Sequence, residues 1–257
     1  MNERIGLVCK QEHFYDENFL RICSEFLVEP VRYHRKMWEF VYIFRMLELS
    51  GKLNSNSVGL GMGCGYERLV PAMVKTGVNL HVTDLENTWF GLDDDITWKH
   101  FFPSVCEEGA FNSQVVLGNA DMNNIPLEYL QENYDFLWSS CAFEHTGGLL
   151  KGMDFIVKSL QALKVGGISI HTTEFNIRDN YTMDTAHSCA YRKMDFEWLK
   201  QHVESIGYVF HHIDYDLGES EYDIKIDHSP YSNDEHLKLN VGGFDLTSIG
   251  FMIEREK

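Results

Sequence analysis

From residue 57 onward the chain alternates short apolar runs of β-forming residues with longer amphipathic stretches. The runs fall at 57–61, 79–83, 114–117, 134–138 and 167–171, and two later ones at 208–212 and 248–253. Between them, apolar residues recur at helical spacing over 67–76, 149–163 and 193–205. Strands that alternate with helices imply a largely parallel sheet covered on both faces, because each crossover must pack its apolar stripe on the sheet. The pattern predicts an α/β fold with a seven-stranded, mostly parallel sheet flanked by helices. The Gly166-Gly167 pair ends the second of those helices, as a C-terminal glycine does. Residues 14–50 differ: bulky apolar and charged residues alternate at helical spacing and break at Pro30, which predicts two helices ahead of the sheet. The expected organisation is an N-terminal helical addition or lid over 1–50 and a main domain over 51–257. The polar segment 213–240 is too long for a tight hairpin and reads as an insertion near the functional edge.

Composition narrows the function more than the fold. The 257 residues are 44% hydrophobic and 24% charged, with no apolar run approaching the ~20 residues needed to span a bilayer. No basic leader followed by an apolar stretch is visible at the N-terminus, so a cytoplasmic protein without membrane insertion is expected. The six cysteines, Cys9, Cys23, Cys64, Cys106, Cys141 and Cys189, include no C-x-x-C pair, which argues for reduced thiols over a zinc knuckle or disulfide framework. Lys and Arg number 22 against 39 Asp and Glu, a formal net charge of -17, and phosphate backbones are bound chiefly by basic surface. A nucleic-acid partner is therefore disfavoured. The basic residues Arg32, Arg35 and Lys36 read more simply as a solvated helix face.

Chemistry concentrates at Gly59-Leu-Gly61-Met-Gly63-Cys-Gly65, which closes a predicted strand and opens a predicted helix. Glycines there let backbone approach a ligand, and helix N-terminal amides face it. The dinucleotide fingerprint G-x-G-x-x-G fails, because its third glycine would fall on Cys64, Tyr66 or Arg68. The G-x-G-x-G spacing of Gly61, Gly63 and Gly65 resembles instead the first motif of the Rossmann-like S-adenosylmethionine (SAM) dependent methyltransferases. Four further segments resemble that family in register. Asp84 ends the second strand about 20 residues on, where an acid can accept both ribose hydroxyls. Asn119-Ala120-Asp121-Met122 resembles the adenine-binding turn, Tyr134 to Ser139 the fourth-strand motif, and Leu163 to Gly167 the turn before the fifth strand.

The resemblance covers roughly residues 57–175 and implies SAM as cofactor, held by Gly61, Gly63, Gly65, Asp84, Leu85, Asn119, Ala120, Asp121 and Met122. Where the family has an acid for the methionine amino group, this chain has Gly59, so Glu67 or Ser139 must meet that charge. The acceptor should meet the ends of the fourth and fifth strands, at Glu144, His145, His171 and Glu174. Methyl transfer to a hydroxyl needs alignment and a base, and imidazole suits the task near neutral pH. His145 is the first candidate and His171 the second, with Glu144 or Glu174 orienting or replacing them. A divalent cation held by His145, His171, Glu174, Asp84 or His187 is conceivable, but spacing brings no such set together and no metal ligand is assigned.

Residues 33–39, 139–145 and 171–176 are similar to bacterial methyltransferases of surface-polysaccharide (capsule or lipopolysaccharide) biosynthesis. That resemblance implies O-methylation of a sugar or nucleotide-sugar, or decoration of a capsule through phosphoramidate. The alternatives are a small-molecule N-methyltransferase and a non-catalytic SAM-binding scaffold. Oligomeric state is not legible.

Overall fold

The computed structural model describes residues 1, 3–85, 97–178, 181–232 and 235–256. The strands, in chain order, are β1 (Gly6–Val8), β2 (Val58–Met62), β3 (Asn79–Asp84), β4 (Val115–Asn119), β5 (Tyr134–Ser140) and β6 (Leu163–Asn176). They continue with β7 (Val209–Phe210), β8 (Ile213–Asp214), β9 (Ile226–Asp227), β10 (Lys238–Val241) and β11 (Phe244–Glu254). The helices are α1 (Glu17–Arg21), α2 (Arg35–Leu49), α3 (Leu69–Val74), α4 (Glu108–Gln114), α5 (Leu149–Ser159), α6 (Lys193–Ser205) and α7 (Glu221–Ile224).

All these strands join one sheet, whose main path runs β4-β3-β2-β5-β6-β11-β1-β8. The first five are parallel, and β11 enters antiparallel against β6 over nine residue pairs, from Leu246↔Asn176 to Glu254↔Ile168. The seven predicted strands are all present as β2 to β7 and β11. The sheet counts eleven among the described residues because β1, β8, β9 and β10 extend it. These additions are two to four residues long, too short to register as periodic patterns. β1 lies between β11 and β8, pairing antiparallel with the first and parallel with the second.

Alternation along the central strands feeds two cores. Phe136 and Trp138 of β5 and Ile168 and Ile170 of β6 join the core beneath α2, α3 and α4, while Leu137 joins that beneath α5 and α6. α2 crosses β5, β6 and β11 with Trp38, Tyr42 and Phe44 fully buried. Its first turn is capped by His34, whose ring accepts from the Lys36 amide at 3.1 Å. Ahead of it, α1 continues into a π-helical turn, Ile22–Leu27, that ends at Val28 in the left-handed region (φ 53°) before Pro30. All six cysteines are free. No helix of the described residues is long and apolar enough to cross a membrane.

Candidate active site

The strand order reverses at β2, with β3 and β4 to one side and β5 and β6 to the other. Such a switch point opens a crevice beyond the carboxyl ends of the strands, because the following loops leave in opposite directions. A cleft of about 340 Å³ lies there, lined by the segments that follow β2, β3, β4 and β5. Gly63 comes from the loop after β2, Asp84 and Leu85 from β3, Ala120, Asp121, Met122 and Asn123 from β4, and Cys141, Ala142, His145 and Thr146 from β5.

The glycine loop is shaped by both its neighbours and its own backbone. Gly63 and Gly65 have φ values of 65° and 51°, which disfavour any side chain. A Cβ on Gly63 would also stand 2.7 Å from Met122 Cε and 2.8 Å from Ala142 Cβ, so glycine keeps the cleft open at its floor. Asp84 fastens the loop: Oδ2 accepts from the Gly65 amide at 2.6 Å and Oδ1 from the Leu85 amide at 2.7 Å. The Asp84 carbonyl accepts from Ala120 N at 2.9 Å, which ties the turn after β4 to the same residue. Asp121 bends that turn by accepting from Asn123 N at 2.8 Å. Asn119 is exposed and lies off the cleft wall. Gly61 sits behind the loop, where a Cβ would meet Trp138 at 2.4 Å.

Two cofactor-side expectations are corrected. Glu67 and Ser139 do not line the cleft; each holds another buried side chain. Trp138 Nε1 donates to Glu67 Oε1 at 2.8 Å, and burial pushes the Glu67 carboxyl up from 4.5 to about 7. That shift has a sign for stability. The unfolded chain ionises above pH 4.5 while the folded carboxyl keeps its proton until about 7, so folding loses stability as pH rises across this window, by up to roughly 3 kcal/mol. Glu67→Gln retains an acceptor for Trp138 and removes the ionisation. Its melting temperature relative to the parent is therefore expected to climb between about pH 5 and pH 8. A difference that stays flat across that range would show that Glu67 ionises normally.

His171 is corrected as a candidate base. It is fully buried, with Nδ1 2.7 Å from Ser139 Oγ and Nε2 2.5 Å from Ser169 Oγ, and the rings of Phe143, Phe155 and Phe251 surround it. Desolvation pulls its pKa down to about 3, so it is a neutral core residue joining β5 to β6. The physical reason is strand length. β6 continues to Asn176, which places His171 in mid-strand and not at the strand end.

His145 lies on the cleft wall and is exposed. Its Nδ1 is 2.9 Å from the His187 carbonyl oxygen. A carbonyl only accepts, so Nδ1 carries the proton and Nε2 is the basic nitrogen of the neutral ring.

Beyond Cys141 the cleft wall backs onto a polar cluster under the start of α2. Arg35 Nη1 lies 2.5 Å from Glu174 Oε1, and Lys36 Nζ lies 2.5 Å from Glu39 Oε2. Arg35 is therefore turned inward and does not belong to a solvated basic face. Burial alone would raise the Glu39 pKa, but Lys36 and Arg35 outweigh it and hold the carboxyl below its ordinary range. Glu144 is fully buried and accepts from Thr173 Oγ1 at 3.1 Å. Burial first, and then the Glu174 charge, raise its pKa. Cys141, in the left-handed region at φ 46°, was not singled out by sequence reasoning. Its position just past β5 is the one signal that could have found it.

No family model and no curated protein matches the sequence. Solved structures match it in fold. A protein of Galdieria sulphuraria assigned as a sarcosine dimethylglycine methyltransferase aligns with TM-score 0.53 and 15% identity, over 86% of each chain. A Bacillus halodurans protein assigned as a methyltransferase gives 0.54 and 13%, over 84% of this chain and 99% of its own. A Listeria monocytogenes protein assigned as a SAM-dependent methyltransferase gives 0.52 and 11%, over 85% and 98%. At these identities the likeness is one of architecture: this chain has the mixed α/β, Rossmann-like fold of those proteins.

Proposed function

We propose that this protein is a SAM-dependent O-methyltransferase whose acceptor is the hydroxyl of a small polar molecule. The observation that carries the reading is the cleft at the switch point, where the Gly63–Gly65 backbone is fastened by Asp84 and faces the turn after β4. SAM would lie with its ribose toward Asp84, its adenine against Met122 near Asp121, and its sulfonium toward Cys141 and Ala142. The residues between SAM and the acceptor would then be those after β5. In such a reaction, SAM would supply the methyl group, and the acceptor oxygen would attack the methyl carbon in line with the sulfonium. The C–S bond would break as the C–O bond formed, the hydroxyl proton would pass to His145 Nε2, and S-adenosylhomocysteine would leave.

We take the acceptor to be a sugar or nucleotide-sugar of surface-polysaccharide biosynthesis, a cytoplasmic precursor. The similarity of residues 33–39, 139–145 and 171–176 to enzymes of that kind and the polar groups behind the acceptor end support this. Residues 1–50 are read as an addition to the domain 51–257 that joins its sheet through β1 and covers it with α2, from which Arg35 reaches Glu174 at the acceptor end. An amine acceptor is the second reading, favoured by the pair Glu144 and Glu174 and by a neighbour named for amine substrates.

Calorimetric titration with SAM and with S-adenosylhomocysteine is expected to show binding of both in the micromolar range or tighter. Absence of binding by either would overturn the cofactor. With binding in hand, locating the new methyl on oxygen or nitrogen in turnover products separates the two acceptors.

A further inference from the structure

The cluster behind Cys141 contains more acceptors than donors. Cys141 Sγ and one carboxylate oxygen each from Glu144 and Glu174 lie within 4.8 Å of one another. Glu144 Oε1 is buried without a hydrogen-bond partner among the described residues, and so is Glu174 Oε2, although Arg35 takes the other Glu174 oxygen. Buried carboxylate oxygens are rarely left unsatisfied, because removing them from water costs several kcal/mol unless a donor or a cation replaces it. The neighbouring cations do not supply that partner: Arg35 is on Glu174 Oε1 and Lys36 is on Glu39.

We propose that Cys141, Glu144 and Glu174 form a binding site for one divalent transition-metal ion, of the zinc class, at the acceptor end of the cleft. A thiolate with two carboxylates is a mixed soft and hard donor set that suits such an ion better than Mg²⁺ or Ca²⁺, which take oxygen ligands alone. Metal–ligand distances of ~2.0–2.3 Å would draw these atoms to roughly 3.5 Å apart, a contraction of about an ångström that side-chain rotation can supply. Three protein ligands leave a fourth position open to a further ligand, and Cys141 lines the cleft. The site differs from the histidine-rich set considered from the sequence. His171 is enclosed in the core, and His145 donates to a carbonyl. The metal site stands on its own geometry; its role in orienting an acceptor rests on the methyltransferase reading.

The test is a titration of the chelator-treated full-length protein with Co²⁺ alone, followed by the thiolate-to-cobalt charge-transfer band in the near ultraviolet. One equivalent is expected to saturate the band, and Zn²⁺ to abolish it. Cys141→Ser should lack the band, and Glu144→Gln, which keeps the thiol, should weaken Co²⁺ binding roughly tenfold or more. Thermal unfolding of both variants confirms that they are folded. No band in the parent, or a band that survives in folded Cys141→Ser, overturns the site. A parallel SAM titration of the metal-free protein keeps the two readings apart. SAM binding without a cobalt band removes only the metal, whereas a Cys141-dependent band without SAM binding supports the metal and removes the cofactor.

Discussion

Asp84→Ala is expected to weaken SAM binding by roughly 10²–10³-fold, the loss of two charged hydrogen bonds at ~1.5–3 kcal/mol each, discounted for relaxation. The carboxylate does two jobs at once. It accepts from the Gly65 and Leu85 amides, fixing the backbone that would cradle the cofactor, and it lines the cleft where ribose hydroxyls would lie. Asp84→Asn keeps one acceptor oxygen and should fall between the parent and alanine. Calorimetry on both variants, with thermal unfolding to confirm the fold, measures the effect. Unchanged affinity in Asp84→Ala would detach the cleft from the cofactor altogether.

The half of the cleft built by the glycine loop and Asp84 was legible because it is local. A strand, a glycine loop and an acid at the next strand's end lie within about 30 residues, and their order along the chain copies their order in space. The acceptor half was not, because it is built by contacts between distant segments. Arg35 and Glu174 are separated by 139 residues, and Ser248 and Glu39 by 209. No periodicity announces such pairs. The misplacement of His171 has a different cause. Period-two alternation shows which face a strand residue takes, but not how far the strand runs, and β6 extends five residues past the expected end. Ser139 failed for a related reason: its hydroxyl is turned into the sheet interior against His171, and the cleft begins only after β5, at Cys141.

His145→Asn should lower kcat by about 10²–10⁴-fold while leaving SAM affinity within about twofold. The substitution is chosen from the geometry. The asparagine amide can still donate to the His187 carbonyl as Nδ1 does, so the loop keeps its anchor, but nothing replaces the basic Nε2. A KM effect without a kcat effect would make His145 a binding residue, and a parent-like rate would remove it from the reaction. Single-turnover assays with saturating SAM give the comparison directly.

The placement of β1 also governs how the chain reaches its fold. Leu7 pairs with Gly250 and with Asp214, so the first strand's partners lie more than about 200 residues further along the chain and are synthesised long after it. Until then the apolar residues of β1 have no strand to pair with. Contacts between such distant segments are reached late, since the loop between them must be closed before either gains from pairing. On the ribosome the β2 to β5 half can assemble early, whereas the β11 half waits until residues 244–254 have emerged. That interval, with an unpaired sheet edge exposed, is when this protein would most need a chaperone.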